Sequence, residues 1–197
     1  FNPGGGADNP VQAVVLQPDG KVLIGGDFAS YNGYNRSRFA RLNSDGSLDQ
    51  DFDIGTGADL VVNAIALQPD GRVVVVGDFA HFNSAPLGGI ARLNADSSID
   101  KSFNPGVGFN DSVRLVEVQE DGRILVGGFF TEFNGVVRNR VARLMPDGSL
   151  DGSFDVGAGA NGSVYSMAVQ SDGKILVGGS FSTFNNLNRS GIVRLNT

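Results

Sequence analysis

The sequence predicts an all-β chain, a β-propeller of four repeats, and three observations carry that prediction. Landmarks recur every 51 residues without slippage: Phe1, Phe52, Phe103 and Phe154; Gln17, Gln68, Gln119 and Gln170; Gly26, Gly77, Gly128 and Gly179; Arg41, Arg92, Arg143 and Arg194. A fixed period near that length marks a solenoid, propeller or array, in which each copy buries its faces against its neighbours. The apolar runs have strand length and none shows the 3.6 period of a helix. Runs such as Val73-Val74-Val75-Val76 are continuously apolar, which suits strands covered on both faces, as in stacked blades. The reading is a single propeller domain over residues 1–197, with copies at 1–51, 52–102, 103–153 and 154–197.

Within the first copy each element has a local cause. Phe1-Asn2-Pro3-Gly4-Gly5-Gly6 is a loop by its Pro and Gly content. Residues 11–16 form a short apolar strand. Gln17-Pro18-Asp19-Gly20 turns the chain, with Pro at the second turn position and Gly closing it. Residues 21–26 are the returning strand of a hairpin. Residues 27–38 are a longer connection carrying Phe28, Tyr31 and Asn32-Gly33. Residues 39–43 form a third strand, Ser44-Asp45-Gly46 turns it, and residues 47–52 read as a fourth. Four antiparallel strands per copy is the pattern of a propeller blade. The last blade is incomplete: the chain reaches Leu195-Asn196-Thr197 without a counterpart of Asp45-Gly46-Ser47-Leu48-Asp49. Two arrangements fit, a four-bladed ring with one three-stranded blade, or a share of a larger or dimeric propeller. The expected oligomeric state is therefore monomer or homodimer.

Composition excludes several classes of function. A net charge of −6 and a pI near 4.6 argue against nucleic acid and anionic membranes, which both require a basic face. No apolar run approaches the roughly 20 residues of a membrane-spanning helix, so no membrane insertion is expected. With no cysteine and a single histidine, His81, there is no thiolate site, no His/Cys zinc site and no Cys-His dyad. A Ser-His-Asp triad would have to run through His81, and no Gly-x-Ser-x-Gly elbow accompanies it. The expectation is a non-enzyme with no catalytic residues. Phe1, with neither Met nor a signal segment, suggests a processed or excised piece.

The residues Leu16-Gln17-Pro18-Asp19-Gly20-Lys21, then Gly25-Gly26-Asp27-Phe28, then Ala40-Arg41-Leu42-Asn43 and Asp45-Gly46-Ser47-Leu48-Asp49 resemble the delta-60 type of bacterial tandem repeat. That resemblance spans essentially the whole chain. It implies a propeller-like fold in bacterial, often large and exported proteins, hence an extracellular location, and it implies no established activity or site residues. A four-bladed ring is also similar in architecture to hemopexin-type propellers, a likeness that implies an ion, calcium or sodium, along the axis.

Several motifs have a simpler reading than the one they first suggest. Gly157-Ala158-Gly159-Ala160-Asn161-Gly162 matches the dinucleotide fingerprint. It lacks the strand before and the helix after that the fingerprint needs, so it reads as an inter-strand loop. Asn43-Ser44-Asp45-Gly46-Ser47-Leu48-Asp49 has the oxygen-rich look of a calcium loop, but the same residues suit a hairpin turn. Arg41, Arg92, Arg143 and Arg194 are expected to pair with carboxylates such as Asp49, Asp100 and Asp151 on the next strand, or Asp27 and Asp78 in the second, with anion binding the competing reading. Phe28, Phe79, Phe130 and Phe181, with Tyr31, Phe82, Phe133 and Phe184, are expected to form inter-blade core.

Function is expected where the copies disagree. One position of the first strand reads Gln12, Asn63, Arg114 and Tyr165, and these residues are expected to ring one mouth of an axial channel. Glu117 is the single carboxylate in an otherwise apolar row. As a buried charge it needs a partner, Arg114 or another arginine, or a metal ion. The functional expectation is a binding or interaction module for a protein, small ligand or glycan, with a possible channel cation for which Glu117 is the candidate ligand. The alternative is a multivalent carbohydrate binder using the loops around Tyr31-Asn32-Gly33.

Overall fold

The protein is described by a computed structural model covering residues 1–196; Thr197 lies outside the described residues. The described chain is all-β, and no helix in it is long and apolar enough to cross a membrane. It groups into two compact units, Phe1–Lys101 and the residues from Ser102 onward, each holding two copies of the repeat.

In the first copy Val11–Leu16 pairs antiparallel with Val22–Gly26, which pairs in turn with Phe39–Leu42. The Gln17 carbonyl accepts the Gly20 N–H at 3.0 Å, and the Asp19 carboxylate takes the Lys21 N–H. The expected Pro-Asp-Gly turn is therefore present. The same three-strand order recurs in the other copies, centred on Val73–Gly77, Ile124–Gly128 and Ile175–Gly179. The fourth strand is reduced to one bridge in each of the first three copies, Leu42 to Leu48, Leu93 to Ile99 and Leu144 to Leu150. It is brief because Asp49 turns its side chain to the ion pair described below and the chain then leaves for the next copy.

The connection at residues 27–38 contains a hairpin absent from the sequence reading, Ser30–Tyr31 with Tyr34–Asn35. Its turn residues Asn32 and Gly33 both have positive φ, 48° and 78°, the signature of a type I′ turn. Asn32 also accepts the Gly6 N–H through its side chain at 2.8 Å, which pins the opening glycine loop to the hairpin.

Phe79 and Phe82 pack edge to face at 5.8 Å, and Phe82 meets Phe39 at 6.4 Å, in the core of the first unit. In the second unit Phe154, Val156, Val164, Phe181 and Phe184 form the corresponding core with Leu125 and Val141. Successive copies pack closely where glycine leaves room. A Cβ on Gly25 would stand 2.6 Å from Val62 Cγ1, and one on Gly127 3.0 Å from Val164 Cγ1.

Candidate functional site

The variable positions of the first strand all sit on β-bulges. Register shifts between Val11 and Ala13, Val62 and Ala64, Val113 and Leu115, and Val164 and Ser166. Gln12, Asn63, Arg114 and Tyr165 are thus the extra residue in each copy. The cause is local. The carbonyls of Pro10, Val61, Ser112 and Ser163 accept the N–H groups of Asp27, Asp78, Phe129 and Ser180. The same carbonyls press on Gly26, Gly77, Gly128 and Gly179, where any Cβ would collide with them. Glycine at those four positions therefore permits the bulge, and a bulge re-aims the side chain it carries.

Three of the four bulge residues are set beside the residue that follows the glycine. Asn63 donates Nδ2–H to Asp78 Oδ1 at 2.7 Å and is 8% exposed. Arg114 lies with its guanidinium carbon 4.7 Å from the centroid of Phe129, a cation–π distance. Tyr165 meets the same Phe129 edge to face at 5.8 Å while remaining 58% exposed. Hydrogen bonds with the Ser180 and then the Ser163 hydroxyl, together with the charge of Arg114, hold its phenol below the usual value. Gln12 is exposed. The second unit thus gathers Arg114, Phe129 and Tyr165 into one platform, cationic at one end and phenolic at the other. Phe129 was missed in the sequence, although a signal existed: its position reads Asp27, Asp78, Phe129 and Ser180, as variable as the bulge position.

Glu117 differs from expectation. It is exposed, faces Leu125 in the ladder, and makes no ion pair among the described residues. Arg114, its expected partner, turns instead onto Phe129 because the bulge takes it out of the alternation that Glu117 follows. Glu117 lines an open hollow of about 480 Å³ with Glu120 and Asp121. Among the described residues no three His, Cys, Asp or Glu side chains gather as a metal cluster.

The remaining motifs follow their simpler readings. Gly157 and Gly159 have positive φ in a loop that enters the strand Val164–Val169, with no helix after it. Asp45 Oδ1 is taken up by the Ser47 N–H and hydroxyl of its own turn. His81 is exposed and bonded to Asp59 Oδ2 at 2.9 Å. The aromatic series is core: Phe28, Phe79, Phe130 and Phe181, and Tyr31, Phe82, Phe133 and Phe184, are all buried. Tyr31 gives its hydroxyl hydrogen to the Gly46 carbonyl, so these rings offer no open face to a sugar.

Three of the four arginines pair, and with the carboxylates of the next strand rather than with Asp27 or Asp78. Arg41, Arg92 and Arg143 donate Nε–H to Asp49, Asp100 and Asp151 at 2.7, 2.8 and 2.7 Å. A second cation, Lys21, Arg72 or Arg123, completes each site. Burial would raise the Asp151 carboxyl, but hydrogen bonds from Ser153 and Arg143 and the charge of Arg143 outweigh it and hold the group at about 2.

Comparison with solved structures finds the same fold at low identity. The extracellular domain of a hybrid two-component system of B. thetaiotaomicron matches with a TM-score of 0.54 and 16% identity, over 98% of this chain and 25% of that one. A protein of unknown function from Bacteroides caccae matches with 0.51 and 19%, over 94% and 60%. Virginiamycin B lyase from Staphylococcus aureus matches with 0.51 and 17%, over 98% and 58%. The chain therefore spans between a quarter and three fifths of the length of these structures. No curated protein matches the sequence. The model of a β-propeller domain of unknown function, DUF5122, matches four stretches, residues 17–52, 68–103, 119–154 and 170–197. These cover more than half the sequence, and the chain belongs to the DUF5122 β-propeller family.

Proposed function

We propose that this chain is a non-enzymatic interaction module of an exported bacterial protein, binding its ligand through the side chains seated on the bulges. One observation carries the reading. The backbone device is the same in every copy, while the residue it presents changes from Gln12 to Asn63, Arg114 and Tyr165. A constant scaffold carrying variable side chains is how rigid folds build recognition surfaces, and here Gln12, Arg114 and Tyr165 are the ones within reach of solvent. An extracellular setting is supported by the neighbour from B. thetaiotaomicron, itself an extracellular domain.

The platform of Arg114, Phe129 and Tyr165 favours a ligand with a flat or apolar face and a hydrogen-bonding rim. A glycan is one such ligand, since an exposed tyrosine ring can stack on a sugar and its hydroxyl can bond to it. This carries the carbohydrate alternative away from the buried Tyr31 series. A glycan and peptide array compared between the native chain and Tyr165→Ala tests the reading. Signal lost in the variant supports it, and a signal unchanged by the substitution refutes it. A channel cation held by inner-strand carbonyls is a separate proposal, tested by whether chelation lowers the melting temperature.

A further inference from the structure

One cation beside the platform stands without the carboxylate that its counterpart has. In the first copy Arg38 lies 3.9 Å from Asp27, the residue after the glycine. In the second and fourth copies Gly89 and Gly191 take the place of the arginine. The third copy keeps the arginine, as Arg140, while Phe129 occupies the place of the aspartate. Arg140 makes no ion pair among the described residues. Its φ is 66°, against 74° at Gly89 and 73° at Gly191, a region of backbone that favours glycine. The third copy therefore holds an arginine against the local preference of its backbone, and without the acid that the first copy sets beside it.

The backbone sets Arg140 directly across from Phe129. The Arg140 carbonyl accepts the Gly128 N–H at 3.0 Å, and the Arg140 N–H donates to the Phe130 carbonyl at 2.9 Å, so the two bonds straddle Phe129. The first copy, with Arg38 at a φ of 65°, shows that an arginine on this backbone reaches the side chain at that place. Asn139 steadies the head group: Arg140 Nη1 donates to Asn139 Oδ1 at 3.2 Å, and Asn139 Nδ2 donates to the Ala158 carbonyl at 2.9 Å. A guanidinium is always charged and carries its N–H donors in a planar fork that matches a carboxylate. Phe129 thus has Arg140 across the backbone bonds and Arg114 over its ring. Two cations at one aromatic ring favour an anionic ligand there.

Given that the bulge platform is the binding surface, we propose that its ligand is an acidic sugar, a uronic acid unit of a glycan, whose carboxylate is held by Arg140. The sugar ring lies against Phe129 and Tyr165, which meet edge to face. The Tyr165 hydroxyl, already bonded to Ser180 and Ser163, meets the sugar hydroxyls. The carboxylate supplies the selectivity, because an arginine fork pairs with it through charge-assisted bonds that a neutral sugar cannot make. An acidic peptide suits the site less well. It would bring several charges to a chain of net charge −6, whereas one uronic acid brings a single charge to the cation that lacks an acid.

The test titrates the full 197-residue chain with an aldobiouronic acid, a disaccharide bearing a single carboxylate, and with its methyl ester, read by amide shifts in NMR. The acid should bind about tenfold more tightly than the ester, the effect of one charge-assisted contact, with shifts concentrated at 129 and 140. Arg140→Gly introduces the residue that the second and fourth copies carry, so it should fold normally. It should bind acid and ester alike, with the ester's affinity unchanged, and Arg140→Lys should restore part of the preference. Equal binding of acid and ester by the native chain, or a preference that survives Arg140→Gly, would overturn the proposal while leaving the platform reading in place. Refusal of both sugars would also overturn it, and the Tyr165→Ala array comparison then decides the platform separately. A glutamate-bearing peptide bound with the same dependence on Arg140, where both sugars are refused, would make the ligand a peptide and overturn it too.

Discussion

Replacing Asp151 with asparagine should destabilise the protein at neutral pH and flatten its acid response. The Asp151 side chain is 4% exposed, receives Arg143 Nε–H at 2.7 Å and forms an ion pair with Arg123 at 3.2 Å. Its carboxyl is held at about 2, below its ordinary 3.8. At 1.36 kcal/mol per unit, that difference is worth about 2 kcal/mol of stability. A lowered carboxyl stabilises the folded state above its unfolded pKa, and the contribution disappears as pH falls from about 4 towards about 2. The variant removes more than that increment, because Arg143, whose side chain is 8% exposed, is left as a buried charge without its partner. Breaking such a pair costs about 3–5 kcal/mol, and a domain of this size loses roughly 2–4 °C per kcal/mol, so a fall of about 6–20 °C is expected. The assay is urea and thermal unfolding of both proteins from pH 7 to pH 2. Adding Arg143→Met should recover part of the loss, since an apolar side chain needs no counter-charge. A drop under about 2 °C, or an unchanged slope between pH 4 and pH 2, would refute the argument.

Four further substitutions test the packing and the exposed platform. Gly77→Ala places a Cβ against the Val61 carbonyl and 3.1 Å from the Phe79 ring, so it should cost about 3 kcal/mol or prevent folding. Gly152→Ala, with nothing within 4 Å, should stay within about 0.5 kcal/mol of the native chain, both read as urea midpoints. Phe82→Ala removes a fully buried ring and should cost about 3–5 kcal/mol in the same assay. Tyr165→Ala, at an exposed position, should leave the midpoint nearly unchanged while lowering array binding; a large loss of stability there would show the ring to be structural.

The repeat made the architecture readable because each copy restates the same local instructions. Pro18-Asp19-Gly20 specifies a turn through backbone preference alone, and the unbroken run 73–76 specifies a strand covered on both faces. Asn32-Gly33 carried the type I′ signal as well, yet the strands it joins are two residues each, too short to show a period. The arginine and aspartate partners were readable because they lie eight residues apart on either side of one turn.

Tertiary structure decided the site. The sequence marked Gln12, Asn63, Arg114 and Tyr165 by their variability, but an ordinary strand and a bulged one have the same spelling. The difference lies in which carbonyl reaches the N–H beyond Gly26 and its counterparts, a contact across the sheet. That single-residue shift separates Arg114 from Glu117, hands Arg114 to Phe129, and leaves Glu117 exposed. Composition and period fix which faces of a strand are apolar, whereas the aim of one polar side chain depends on long-range register that no local pattern encodes.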